Sequence, residues 1–102
     1  LVALDDLDIR RPVRFIKMDV EGAEPLIVRG ASRILREDRP TLLSELHPVQ
    51  LHRASGTTAD AFLDQLRALG YRAHLVENGS IGAPLDRAPA DALVSVGFVP
   101  GR

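Results

Sequence analysis

Apolar and polar positions along this chain of 102 residues repeat with two different periods. In residues 13–20, Phe15, Lys17 and Asp19 fall on one face of an extended segment and Ile16, Met18 and Val20 on the other, the period of a strand. Apolar side chains on both faces predict a strand covered from both sides, as in a parallel sheet. After the break Glu21-Gly22-Ala23-Glu24, Pro25 opens a helix, where its missing N–H has no intrahelical partner to lose. The acidic residues before it suit the positive end of the helix dipole. Leu26, Ile27, Gly30, Ala31, Ile34 and Leu35 then recur at helical spacing, with Arg29, Ser32, Arg33 and Arg36 opposite. Gly30 within that stripe costs about 1 kcal/mol relative to alanine, and is expected to allow a close approach to the sheet. Pro40 ends this region.

Residues 41–47 predict a second strand, with Leu42 and Leu46 on one face and Leu43, Glu45 and His47 on the other. Residues 48–56 read as a polar loop carrying His52 and Arg53. A second helix starts at Thr57 or Thr58, either of which can cap it. Ala59, Phe62, Leu63, Leu66 and Leu69 form its apolar stripe, and Gly70 stops it. A third strand is predicted over residues 71–76, followed by the tight-turn pair Asn78-Gly79. The stretch to Asp91, rich in Gly, Pro and Ala, is expected to be a mobile loop, and residues 92–99 a last strand ended by Pro100. Residues 1–12 read as the tail of an extended stretch, a short acidic turn and a linker. There is no internal repeat.

The order strand, helix, strand, helix, strand, turn, strand belongs to the α/β class. Helical crossovers require parallel strands, and the close turn after the third strand favours an antiparallel last one. The expectation is half of an open α/β sheet, mostly parallel, with an antiparallel last strand.

Composition removes several function classes. The 13 basic and 14 acidic residues leave a net charge of −1, so no basic excess exists to neutralise nucleic-acid phosphates. Cysteine is absent, which excludes disulfides and thiolate metal sites. No apolar run approaches the ~18 residues that cross a bilayer. Asp5 and Asp6 follow the first four residues directly, unlike a signal peptide, and a cytoplasmic location is the default. A chain of this length supports one small domain or part of a larger one.

Candidate chemistry gathers at two strand ends. Ligands of open α/β sheets bind beyond the carboxyl ends of the strands, where Asp19, Glu21, Glu45 and His47 fall. Asp19 could orient an acceptor hydroxyl, take its proton or ligate a metal; it could equally be a turn residue bonding nearby backbone N–H groups. Glu21 and Glu24 could stabilise the helix start, with Glu21 nearer the strand end. Glu45 and His47 lie two apart on one face, so an imidazole base and a carboxylate that fixes its tautomer could share a crevice. The plainer reading is a solvated strand end before Pro48. Lys17 could pair with a carboxylate or extend its stem to solvent. His52 and His74 read as surface residues. Asp19, Glu45 and His47 are chemically suited to a divalent ion, but nothing in the sequence demands one, and no metal is assigned.

The run Phe15-Ile16-Lys17-Met18-Asp19-Val20-Glu21-Gly22-Ala23-Glu24 resembles the signature of FkbM-type methyltransferases, a hydrophobic-Lys-hydrophobic-Asp-Val-Glu-Gly-x-Glu block on the fourth strand and its turn. Leu4-Asp5-Asp6-Leu7, Arg29-Gly30-Ala31, Leu43-Ser44-Glu45-Leu46-His47-Pro48 and Val96-Gly97-Phe98-Val99-Pro100 resemble weaker flanking segments of the same family. The resemblance implies the C-terminal half of a Rossmann-like class I fold that moves a methyl group from S-adenosylmethionine, usually to oxygen. It implies acceptors such as hydroxyls of sugars, glycolipids or polyketide-type metabolites. Asp19, Glu45 and His47 would be the acceptor-side catalytic residues, and Asp19, Val20 and Glu21 would touch the cofactor. The glycine-rich loop and second-strand acidic residue that hold the cofactor in this class have no counterpart here. Gly79-Ser80-Ile81-Gly82 is not flanked by a strand-to-helix crossover. The expectation is therefore a partial domain over residues 1–102, without the cofactor-binding half and inactive alone. The competing reading is a non-catalytic α/β interaction module, whose helices and open first-strand edge bind a partner or a second copy. A hydrolase using Asp19 and Glu45 would lack a nucleophile motif.

Overall fold

The computed structural model describes residues 3–89 and 92–101. Leu1 and Val2 of the expected extended tail, and Asp91 at the end of the expected loop, lie outside the described residues. The elements are β1 (Phe15–Met18), α1 (Glu24–Gly30), α2 (Ser32–Glu37), β2 (Thr41–Leu46), α3 (Pro48–Ser55), α4 (Ala59–Ala68), β3 (Tyr71–Glu77), β4 (Ser80–Pro84) and β5 (Val94–Pro100), after a short 3-10 turn at Leu4–Asp6. The α/β class expected from the sequence is what forms.

The strands lie in the order β1-β2-β5-β3-β4. β1 and β2 pair in parallel, with Phe15 opposite Thr41 and Met18 opposite Ser44. β5 enters between β2 and β3, antiparallel to both, and β4 folds back on β3. β1, β2 and β3 thus point the same way, as their helical crossovers require, and the last strand is antiparallel. The sheet is mixed rather than mostly parallel, because β5 separates β2 from β3 and leaves β1–β2 as the one parallel pair among the described residues. β4 is a strand where a loop was expected. Asn78 (φ 51) and Gly79 (φ 76) both adopt positive φ, the type I′ geometry that matches hairpin twist.

The core forms on one face of the sheet. Met18, Leu42, Leu46, Val96 and Phe98 meet Val28, Leu35, Leu51, Phe62 and Leu66 from the helices. Phe62 and Phe98 pack edge to face, with centroids 5.6 Å apart and planes at 82°, a favoured aromatic geometry. The other face of β1 is open among the described residues: Phe15 is 55% exposed, and Lys17 is exposed beside it. The expected cover on both faces is therefore absent from this part of the fold.

The single helix expected from Pro25 onward is two. Ala31 leaves helical geometry at φ −116, ψ 14, and α2 begins afresh with a cap from far upstream. Both carboxylate oxygens of Asp5 accept α2 backbone N–H groups, from Arg33 at 2.8 Å and Ile34 at 3.0 Å. Arg33 returns a bond to the Asp5 carbonyl at 3.0 Å. Gly30 makes its close approach to this N-terminal segment, not to the sheet: a Cβ there would meet the Ala3 Cβ at 3.1 Å. The expected polar loop after β2 is α3, anchored by the buried Leu51 and ended at Gly56 with φ 71. α4 keeps its predicted cap, with Thr58 accepting from the Ala61 N–H at 3.1 Å, and Gly70 follows with φ 86. Residues 85–89 lie across α4. Arg67 donates to the Leu85 and Asp86 carbonyls at 2.8 Å each, and Asp60 accepts from the Ala88 N–H at 2.9 Å.

At the amino end of the strands, Arg39 ties α2 to α4 by donating to the Leu69 carbonyl at 2.6 Å and the Gly70 carbonyl at 3.0 Å. Nearby, Arg11 holds the linker before β1 through two bonds of 2.9 Å to Asp38. The guanidinium of Arg11, and next the Val13 N–H at 2.9 Å, hold the Asp38 carboxyl below its ordinary value of 3.8.

Asp5→Ala should cost about 1 kcal/mol by loss of the cap, read as a lower urea midpoint, whereas Asp6→Ala should leave it unchanged. Because the folded state depresses the Asp38 pKa, its contribution is present above 3.8 and is lost as pH falls through the folded value. Arg11→Gln should flatten that acid limb in a plot of urea midpoint against pH.

Candidate functional site

The pairing of β1 with β2 brings two carboxylates to one sheet end. Met18 and Ser44 are opposite each other and buried toward the helices. Strand alternation turns Glu45, next along β2, away from the helices; Asp19 follows the last residue of β1, and both are exposed. Asp19 directly follows β1 and Glu45 is the next-to-last residue of β2, so both carboxylates lie toward the carboxyl ends of two parallel strands. Val20 and Glu21 are also exposed, and His47 is half-buried. The structure thus groups all five residues singled out by the sequence around one sheet end.

A tight turn sets the direction of Asp19, Val20 and Glu21. The Ala23 N–H donates to the Val20 carbonyl at 3.2 Å, while Glu21 and Gly22 take φ of 51 and 100. Glu21 is a non-glycine residue in the left-handed region, at a cost of about 1–2 kcal/mol; such strain is typical of functional sites. Gly22 packs against the first turn of α3. A Cβ there would collide with the Gln50 carbonyl oxygen and approach the Leu51 nitrogen to 2.8 Å. The turn after β1 is thereby fixed against the helix that follows β2.

His47 belongs to that same helix start. Its backbone carbonyl accepts the Leu51 N–H at 2.9 Å, and its Nδ1 accepts the Gln50 N–H at 3.4 Å. Gln50 is therefore held by His47 on its N–H side and touches Gly22 with its carbonyl. Glycine at 22 is written in the sequence block, but Gln50 carries no chemical signature that would have singled it out.

Two further polar groups lie beneath the site. Glu24 is 1% exposed, and its Oε2 has no hydrogen-bond partner among the described residues; the same holds for the buried Ser44 hydroxyl. Glu24 was expected to serve the helix start, and it does open α1, but from inside the core. Ser44 was passed over by sequence reasoning, although its position between Leu42 and Leu46 on the buried face was the available signal. His52 is exposed on α3. His74 is half-buried, with Nδ1 3.1 Å from the Gly82 carbonyl oxygen, so it is not a free surface residue.

Among the described residues no three His, Asp or Glu side chains gather into a group that could hold a metal ion. No described helix is long and apolar enough to cross a membrane. An apolar groove of about 370 Å³ runs between the 3-10 turn, α1 and the outer edge of β1, and includes Leu4, Leu7, Ile16, Val20 and Leu26. That edge has no strand partner among the described residues.

The exposed carboxylates of Asp19 and Glu21 and the apolar Val20 give the turn an acidic and partly apolar outward face. They form one wall only: the apolar groove beside β1 reaches Val20 but includes neither Asp19 nor Glu21. Chemically, the wall can orient a hydroxyl and accept its proton.

Gly22→Ala should destabilise the chain by about 1–3 kcal/mol through overpacking against a backbone carbonyl, measured by urea unfolding. Gly79→Ala, where a Cβ meets nothing within 4 Å, should lose only the smaller positive-φ contribution.

Residues 1–73 match the family model described as the Methyltransferase FkbM domain. No curated protein and no solved structure matches the chain.

Proposed function

The chain belongs to the FkbM methyltransferase family, and from that premise we propose that it is the acceptor-side part of an O-methyltransferase that modifies a hydroxyl of a small-molecule or glycan acceptor. In this reading residues 1–102 are the C-terminal half of a Rossmann-like class I domain. The methyl donor is S-adenosylmethionine, which the family generally uses. The observation that carries the reading is the pair of exposed carboxylates, Asp19 and Glu45, at the adjoining carboxyl ends of two parallel strands, where α/β sheets bind ligands.

S-adenosylmethionine, when bound, supplies a methyl group already activated on a sulfonium. The protein's work is then alignment and removal of one proton. Asp19 takes the hydroxyl proton at its carboxylate, next to the turn that it shares with Val20 and Glu21. Those three residues would also help to hold the donor. Glu45 holds the acceptor hydroxyl from the adjoining strand, and His47 closes the flank. The turn at Gly22 keeps these groups in register with α3, so that alignment does not depend on side-chain packing alone. The remaining surface for the donor comes from a cofactor-binding half outside residues 1–102.

A second reading, a non-catalytic interaction module, is favoured by one observation: the apolar groove beside the unpaired edge of β1. Sedimentation separates the two, because a well-folded chain that stays monomeric at high concentration counts against pairing through that edge.

Calorimetry with S-adenosylmethionine should show only weak binding to this chain; tight binding would overturn the need for a second half. In a protein that carries these residues together with a cofactor-binding half, Asp19→Asn should lower kcat by roughly 10²- to 10⁴-fold with an unchanged unfolding midpoint. Unaltered kcat would remove Asp19 as the base.

A further inference from the structure

We infer that His47 is a hydrogen-bond donor at this site and not its general base, because α3 already occupies the ring's basic nitrogen. A backbone N–H can only donate. The Gln50 N–H directed at His47 Nδ1, 3.4 Å away, therefore requires that Nδ1 present its lone pair. In the neutral ring the proton must then be on Nε2. Nδ1 and Nε2 lie on opposite sides of the imidazole, so the Nε2–H points away from α3.

The sequence explains why the cap falls to a histidine. Pro48 at the first helical position has no N–H, which leaves the Val49 and Gln50 N–H groups as early donors without intrahelical acceptors. The first turn of α3 contains no acidic residue. His47 is the N-cap, extended at φ −115 and ψ 108, the backbone geometry from which a cap side chain reaches the third helical N–H. Taking a proton at Nδ1 would place two donors face to face and break the cap. Nε2 cannot take one because it already holds its own.

The tautomer and the cap stand on this geometry alone; what the Nε2–H faces rests on the methyltransferase reading above. In that reading it donates to the acceptor oxygen, while the hydroxyl proton goes to a carboxylate. The arrangement expected from the spacing of Glu45 and His47 is thus replaced: the carboxylate does not prepare the imidazole as a base.

The test is a long-range proton–nitrogen NMR spectrum of the chain at mildly alkaline pH, with unfolding of three variants. The expected spectrum has His47 Nε2 as the protonated nitrogen and Nδ1 as the bare one. A ring protonated at Nδ1 would overturn the inference, whatever the protein's catalytic activity. His47→Asn, which retains a capping acceptor, should unfold like the wild type. His47→Leu and His47→Gln should lose roughly two- to fivefold in the folded-to-unfolded ratio. Equal midpoints for the Asn and Leu variants would show that Nδ1 is not committed to α3 and is free to act as a base. Failure of methyl transfer would instead leave these results intact and remove only the reading of the site.

Discussion

The insertion of β5 between β2 and β3 holds this fold together. Its residues pair with Leu42 to Leu46 along one edge and with Tyr71 to Leu75 along the other. Without it, the β1–β2 unit and the β3–β4 hairpin would have no common sheet. Its alternation places Val96 and Phe98 in the core on the helix side. On the opposite face Gly97 has no side chain because the Ile81 side chain of β4 and Val76 of β3 fold over it. The same strand bounds the site: Val94 lies opposite Leu46, and Ser95 opposite Glu45. One antiparallel strand therefore joins the sheet and also flanks the end where the candidate chemistry lies.

Within that frame, the sequence block separates into scaffold and contact residues. Glu24 is buried, Gly22 is pressed against the Gln50 carbonyl, and Gly30 faces Ala3. Asp5, in the upstream acidic pair, caps α2 with both carboxylate oxygens. These groups hold the scaffold in place. Asp19, Val20 and Glu21 are the members that face outward on the turn, and Glu45 is exposed near the end of the adjoining parallel strand. Acidic residues that look equivalent in the sequence thus have different physical roles, decided by strand alternation and by the close approach at Gly22.

Local patterns were legible where a short segment carries its own signal. The alternation around Met18, the stripe from Ala59 to Leu66 and the Thr58 cap each lie within a few residues of what they determine. α3 was hidden because its buried residues are Pro48 and Leu51 alone, too little for a helical stripe to emerge from polar neighbours. The break between α1 and α2 depends on Asp5, 28 residues before Arg33, and no local propensity encodes it. β4 looked like loop because Gly82, Ala83 and Pro84 are poor strand formers, and the hairpin turn and β3 override them. The position of β5 depends on pairing at both edges, which periodicity cannot express. At the site, spacing places Glu45 and His47 at the end of the strand that adjoins β1. It could not reveal that the His47 ring is engaged by Gln50, since that bond exists only once α3 has formed.

We propose that the joined ends of β1 and β2 form a ligand wall. Its most direct test is titration of the isotope-labelled chain with S-adenosylhomocysteine, followed through backbone amide resonances. Weak, saturable shifts are expected, centred on Asp19, Val20, Glu21 and Gly22 and extending across the sheet to Glu45 and His47. Shifts centred elsewhere, such as the Arg29 and Arg36 face of α1 and α2, with the turn after β1 unmoved, would contradict it.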